Sequence, residues 1–495
     1  MRRDRAASSV AKCLQIPWKA PRAVTPFAAI VVLLVLATDG FARPQETGAA
    51  SQPAGEGAAP TSAPAVVEKS PDPTIEEAVY EVSGSLSTRF RWRSGGDDDD
   101  VDLYSYLSLD GGNPEVDTVT FHFYGRANWD VDGDDGTGKF FSLSDTAGDD
   151  VDLTLYEAFV DFNRVIDADV FRRIRLGRQS VYAGYSYILD GARIDFNPAE
   201  DLAEMQVSIY GGVPEYLYDT SRSGDWMAGT DLKFHPLDDT WIALRYVHVA
   251  DDNDYYGAVE QHDADDFTSL MVRQNFGKRW QASAEWNTVD GDHRDVIARL
   301  GYTDAESDFT VRASYAYQNT VAREFTALYD AYVGLLLTSH AHNSASLEIA
   351  KVFEDHFGID AGISGRWLSD QDDEGPFNRE YVRAFVTFST FRWPVDEIDL
   401  ALTGEIWEAE GDDVLTAGGE VRWRASEDVR VTLGSYYSRY KYDLFVVEER
   451  EDATTIFLGA RWSISREYRL DARYEFETGD QGEFHIFTVG FTWRF

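Results

Sequence analysis

The chain has 495 residues, 14% of them aromatic, and a formal net charge of −42. So acidic a surface repels nucleic-acid phosphates, which excludes a nucleic-acid partner. A mean hydropathy of −0.36, with no apolar run near the length of about 20 residues that a spanning helix needs, excludes a helical membrane protein.

At the amino terminus, Arg2, Arg3, Arg5, Lys12, Lys19 and Arg22 precede a short apolar run over 27–37, and Gly40, Phe41 and Ala42 supply a small-x-small exit. Basic start, apolar core and small-residue exit predict a secretory signal peptide over residues 1–42. The one cysteine, Cys13, lies inside it. The exported chain therefore has no thiol for disulfides, catalysis or metal binding. Residues 43–79 are Ala, Pro, Gly, Ser and Glu with almost no large apolar side chains. Such a stretch cannot offset the entropy of ordering and is read as a disordered periplasmic linker.

From residue 80 to residue 495 the texture is period-two alternation broken by turns. Phe309, Val311, Ala313, Tyr315 and Tyr317 alternate with Thr310, Arg312, Ser314 and Gln318; Phe357, Ile359, Ala361, Ile363 and Trp367 alternate with Asp360, Ser364 and Arg366. The same holds for Leu415, Ala417, Val421 and Trp423 against Glu420, Arg422 and Arg424, and for Tyr468, Leu470, Ala472 and Tyr474 against Arg469, Asp471, Arg473 and Glu475. A soluble sandwich alternates too. Here, though, the polar face carries Arg, Asp and Glu at mid-strand, while the aromatics of the apolar face gather near strand ends. That distribution predicts a wet interior, a lipid-facing band and aromatic girdles, hence an all-β transmembrane antiparallel barrel over 80–495 in the outer membrane.

The breaks give about 22 strands, with 18 or 20 as alternatives if breaks such as 110–115 and 197–202 are bulges. Long breaks at 131–150, 212–225, 250–265, 319–342, 369–378 and 441–451 alternate with short ones at 164–169, 235–239, 277–278, 354–356, 425–428 and 464–467, the asymmetry of long outer loops and short periplasmic turns. The final segment places His485, Phe487, Val489, Phe491, Trp493 and the terminal Phe495 on one face. It resembles the carboxy-terminal signal that the barrel-assembly machinery reads, which names that machinery as a partner.

In chain order, the residues that bear on function begin with arginines on the lumen-facing parity: Arg89, Arg91, Arg93, Arg126, Arg173, Arg175, Arg193, Arg366, Arg383, Arg422, Arg424, Arg461 and Arg473. Guanidinium is a permanent planar donor fork suited to acidic or sugar-like solutes. Acids of the same parity, among them Asp195, Glu285, Glu405, Glu420, Asp471 and Glu475, offer the competing reading of a structural network. The arginine triplet 89–93 has no acid on its own face and is the first candidate for solute contact. Asp130, Asp132 and Asp134 open like a calcium-binding loop, but Asp135 replaces the required glycine and Phe141 the closing glutamate. Acidic outer loops are thus candidate holders of Ca2+, against a plain solvated rim. No hydrolase, zincin or phosphate-loop pattern occurs, and His340 and His342 lack a third ligand nearby, so the chain is read as a non-enzyme with no cofactor.

Glu157, Phe159 and Phe162, then Arg175-Leu176-Gly177-Arg178-Gln179, Asp190-Gly191-Ala192-Arg193 and Ser208-Ile209-Tyr210-Gly211-Gly212 follow one another. This stretch resembles the alginate-export family of outer-membrane porins, in which a strand-end Gly-Arg-Gln leads into a loop and an Asp-Gly strand. The resemblance covers roughly sixty residues. It implies a monomeric barrel with an arginine-lined conduit for an anionic polysaccharide or another hydrophilic solute; the acidic balance of the chain departs from a polyanion cargo. A non-conducting surface scaffold or adhesin is the alternative. Because 43–79 is too short to plug so wide a barrel, a lumen constriction is expected, with loop 319–342 as its candidate.

Overall fold

The computed structural model describes residues 80–96, 98–132, 151–164, 170–184, 186–215, 224–250, 265–319, 341–373, 380–409, 413–443, 448–480 and 482–495. The segments expected as signal peptide and linker lie outside them, as does 320–340.

Alternation over the described residues becomes strands. In order they are β1 (Val82–Gly95), β2 (Asp98–Gly111), β3 (Val119–Asp130), β4 (Val151–Asn163), β5 (Phe171–Tyr182), β6 (Ser186–Phe196), β7 (Gln206–Glu215) and β8 (Trp226–Leu237). There follow β9 (Thr240–Ala250), β10 (Asp265–Phe276), β11 (Trp280–Val289), β12 (Asp292–Asp304), β13 (Phe309–Gln318), β14 (His342–Phe353) and β15 (Phe357–Leu368). The last are β16 (Tyr381–Thr390), β17 (Ile398–Ala409), β18 (Asp413–Arg424), β19 (Val429–Asp443), β20 (Glu448–Ser463), β21 (Tyr468–Gly479) and β22 (Gly482–Arg494). Each pairs antiparallel with the next. β22 then pairs with β1. The fold is a closed 22-stranded antiparallel barrel. Closure is completed by the final residue, whose N–H and C=O both bond to Gly84 at 3.1 and 2.9 Å.

Following directly opposed residues once around the ring returns to β1 about 24 residues along, which tilts the strands by roughly 37° and gives a backbone radius of about 21 Å. The large exposed apolar side chains share one parity: Leu347 and Ile349 on β14, Ile359 and Ile363 on β15, Leu402 and Ile406 on β17, Leu433 and Tyr437 on β19. On β15 the two exposed rings Phe357 and Trp367 bound this band. Ten residues at that tilt span about 26 Å, the height of the lipid-facing band of an outer-membrane barrel.

Both chain ends of the barrel lie at one rim. The turns at that rim are short, and the breaks 131–150, 251–264 and 320–340 are all at the other. One detail of the sequence reading is borne out and one is corrected. The breaks near 110 and 197 are true reversals between β2 and β3 and between β6 and β7, which settles the strand number. Conversely, 441–451 is no long loop: β19 and β20 stay paired out to Asp443 opposite Glu448.

Candidate functional site

The inner wall carries the chemistry. All the arginines named from the sequence sit on the parity opposite the exposed apolar band, and cross-strand register decides what each one meets. On β1, Arg91 faces Asp102 and Arg93 faces Asp100 of β2. Arg91 donates to Asp102 from Nε at 2.9 Å, and Arg93 to Asp100 at 2.5 Å. Two of the triplet are therefore neutralised, by acids that lie on the next strand and not on their own. Only Arg89 of the three carries no ion pair among the described residues, and Arg424 is like it. Arg126 meets Asp152 at 3.1 Å.

Across β4 to β8 the pairs link into a chain. Arg175 holds Asp161 at 2.7 Å, Arg173 bridges Asp161 and Asp195, and Arg193 bridges Asp195 at 2.7 Å and Asp231 at 3.0 Å. Further round, Arg383 pairs with Glu405, Arg461 with Asp471, Arg473 with Glu475 and Arg422 with Glu420. Rings back several guanidinium planes, as Phe159 does Arg175 at 3.4 Å and Phe457 does Arg473 at 4.3 Å. Guanidinium stacks well on aromatic faces, so the pairs are fixed in place rather than swinging in the lumen. Arg366 occupies the inner parity of β15.

One hairpin leaves the wall, and the end of β7 goes with it: Ile188 to Asp190 of β6 stay paired with Val213 to Glu215, whereas β7 pairs with β8 only as far as Gly212. β5 pairs with β4 only from Arg173 to Arg178, yet β5 runs on to Tyr182, strand-paired there with β6 alone, while Ser180 donates from Oγ to Glu157 of β4 at 2.6 Å. The departure point is a crease of glycines on three strands, with Gly177 opposite Gly191 and Gly191 opposite Gly212. Gly177 has a φ of +126°, and a Cβ there would lie 2.2 Å from the carbonyl oxygen of Ala158. A Cβ on Gly191 would lie 2.2 Å from that of Gly211. No other residue permits so close an approach of backbones. Arg178 covers the break: it is bidentate to Asp190 at 2.7 Å, reaches Glu215 at 2.8 Å, and donates to the freed carbonyl of Leu155 at 3.0 Å. The Gly-Arg-Gln and Asp-Gly signatures thus build a fold line.

Beyond the crease the hairpin lies against the inner face of β7 to β11. Val181, Tyr187 and Leu189 pack with Met227, Val247, Val249 and Phe267 into the buried apolar cluster of the barrel. At its tip Tyr182 donates to Glu285 at 2.7 Å and Arg294 donates to the carbonyl of Gly184 at 2.7 Å. The Arg245 guanidinium stacks on the Tyr182 ring at 5.0 Å. Sequence reasoning ended the strand at Gln179 and missed this hairpin. A signal existed in β9, whose Val247 and Val249 put apolar side chains on the face that should have been wet.

The two arcs of the inner wall therefore differ. Under the hairpin Phe267 and Ser269 are 0% exposed. From β12 to β21 the inner face carries small residues such as Ser314, Ser346 and Ser364, with side chains in solvent: Arg312 is 70% and Arg422 62% exposed. Asp130 and Asp132 stand at the end of β3, where Asp132 accepts the N–H of Val101 at 3.2 Å. Asp134 lies outside the described residues, and among those described no group of three or more potential ligands gathers.

No family model matches the chain. No curated protein matches it either. Among solved structures it is similar to the translocation pore of the P pilus usher PapC, at 10% identity and a TM-score of 0.45, over 83% of this chain and 99% of that one. It is similar to the siderophore receptor PirA from Pseudomonas aeruginosa, at 12% identity and a TM-score of 0.46, over 84% of this chain and 80% of that one. A BenF-like porin from Pseudomonas fluorescens Pf-5 is similar at 12% identity and a TM-score of 0.41, over 84% and 98%. These likenesses are of barrel architecture, and none of them points to the alginate-export family.

Proposed function

We propose that this chain is an outer-membrane channel for small hydrophilic solutes. The observation that carries the reading is the solvated inner arc from β12 to β21, enclosed by a closed antiparallel wall whose outer face is apolar. Only a membrane-embedded barrel needs both properties at once. The arginine–carboxylate pairs favour small solutes over a polyanion. A polysaccharide such as alginate needs an unneutralised basic track, and the acids on neighbouring strands remove it. The test is conductance of the purified protein in planar bilayers. Ohmic current with weak ion selectivity is expected. Absence of current at all voltages would leave the non-conducting scaffold, and strong anion selectivity blocked by polyuronate would restore the polysaccharide reading.

A further inference from the structure

We infer that the solvated inner arc carries a binding track for neutral, glucose-configured oligosaccharides, built on aromatic platforms of β16, β17 and β19. The inference rests on the channel reading and names its class of solute. Three features of the structure support it.

The first is rings on the unexpected face. The inner parity of a water-filled barrel is polar, and β13 to β15 place Ser314, Ser346 and Ser364 there. β16 to β20 instead place Tyr381, Phe385, Trp407, Tyr436 and Phe457 on it. None of these belongs to the buried apolar cluster beneath the hairpin. Trp407 and Tyr436 are only half-buried.

The second is how the rings lie. A Cβ on Gly362, Gly418 or Gly434 would collide with the ring of Phe385, Tyr436 or Phe457 respectively. Each ring therefore leans along the wall, across a glycine of the preceding strand, and does not stand up into the lumen. Tyr436 stacks on Phe457 at 5.6 Å with 9° between the planes, and Tyr381 lies 4.9 Å from Trp407. The Trp407 indole N–H donates to Glu405, which fixes its orientation. A pyranose with equatorial hydroxyls has flat C–H faces, and the negative face of a fixed aromatic ring is complementary to them.

The third is what lies between the platforms. Two strand spacings and four residue steps separate Trp407 from Tyr436, about 16 Å. That is a span for linked sugars, not for one. Between them runs a row of Glu405, Thr416 and Ser438. Arg383 donates to Glu405 at 2.7 Å, and the Thr416 and Ser438 hydroxyls share a hydrogen bond of 3.1 Å. Arg473 pairs with Glu475 at 2.6 Å beside the second platform. A guanidinium–carboxylate pair offers donors and acceptors while summing to no net charge. Sugar hydroxyls, which both donate and accept, match such pairs. An ionic solute finds no surplus of opposite charge there.

The test is calorimetric binding of maltohexaose and cellohexaose to the purified barrel in detergent. At least one should bind, and Trp407→Ala and Tyr436→Ala should each weaken that binding about tenfold, the scale of one lost ring contact. Ser346→Ala, on the same arc away from the platforms, should leave it unchanged. Folding of each variant is checked by its heat-modifiable band on gels. Binding of neither sugar to the folded barrel overturns the track. So does binding that both ring variants retain, equal weakening by Ser346→Ala, or tighter binding of an oligogalacturonate of the same length. Calorimetry is read without current, so a barrel that binds sugar at these rings yet never conducts overturns the channel reading and leaves the track standing.

Discussion

Phe267 offers the sharpest measure of what holds the hairpin down. Its side chain is on the inner parity of β10, where a lumen residue would be wet, yet it is 0% exposed and its ring lies 5.5 Å from that of Tyr187. Among the described residues, Val181, Tyr187 and Leu189 of the hairpin supply cover. Phe267→Ala should therefore weaken the hairpin's hold and leave the wall intact. Truncating a buried Phe costs about 3–5 kcal/mol, the sum of lost transfer energy and the cavity left behind. At about 1.4 kcal/mol per decade, even the lower figure is roughly a hundredfold in the opening equilibrium. Hydrogen exchange of the folded protein reads that equilibrium directly, because amides exchange through local opening. Peptides covering 179–187 should exchange about a hundredfold faster in the variant, while β12 to β22 stay unchanged. An acceleration below threefold, or one spread evenly around the ring, would refute the assignment of Phe267's burial to the hairpin.

Asp102 neutralises Arg91 at 2.5 Å with its side chain fully buried. Asp102→Asn should shift the channel toward anions, seen as a displaced reversal potential under a salt gradient. Stability should fall by about 3–5 kcal/mol, as when one member of a buried pair is lost, seen as a lower midpoint for heat modification. Gly177→Val should sharply reduce the folded fraction, since its Cβ would sit 2.2 Å from a backbone oxygen, whereas Gly404→Ala, with nothing within 4 Å, should change the midpoint by less than about 0.5 kcal/mol. Equal folded yields for the two would contradict the crease. Deleting Phe495 removes both hydrogen bonds to Gly84 and a ring contact with Trp493 at 4.6 Å. Folding into detergent or liposomes should slow severalfold, followed by the gel shift of folded protein.

Much of the architecture was legible because the period of two is local. β15 declares its lipid face through Phe357, Ile359, Ile363 and Trp367 without reference to any partner, and the same logic gives the strand count to within a few. The arginine parity was legible for the same reason. Which acid neutralises which arginine was not, since Arg93 meets Asp100 through the register of β1 on β2, a relation between segments. The hairpin was hidden for a related cause. Val181, Tyr187 and Leu189 alternate like any wall strand, and what sends them inward is a line of glycines that becomes a line only when three strands are laid side by side. Loop 319–342, the constriction expected from its apolar content, falls almost wholly outside the described residues.

The departure of that hairpin also sets where the ring is weakest. The seam between β4 and β5 holds six opposed residue pairs, whereas the closing seam of β22 on β1 holds eleven. A barrel pulled or heated tears along its shortest zipper. Rupture should start in the first quarter of the cylinder, unrolling it as one sheet that keeps the two chain ends joined to the last.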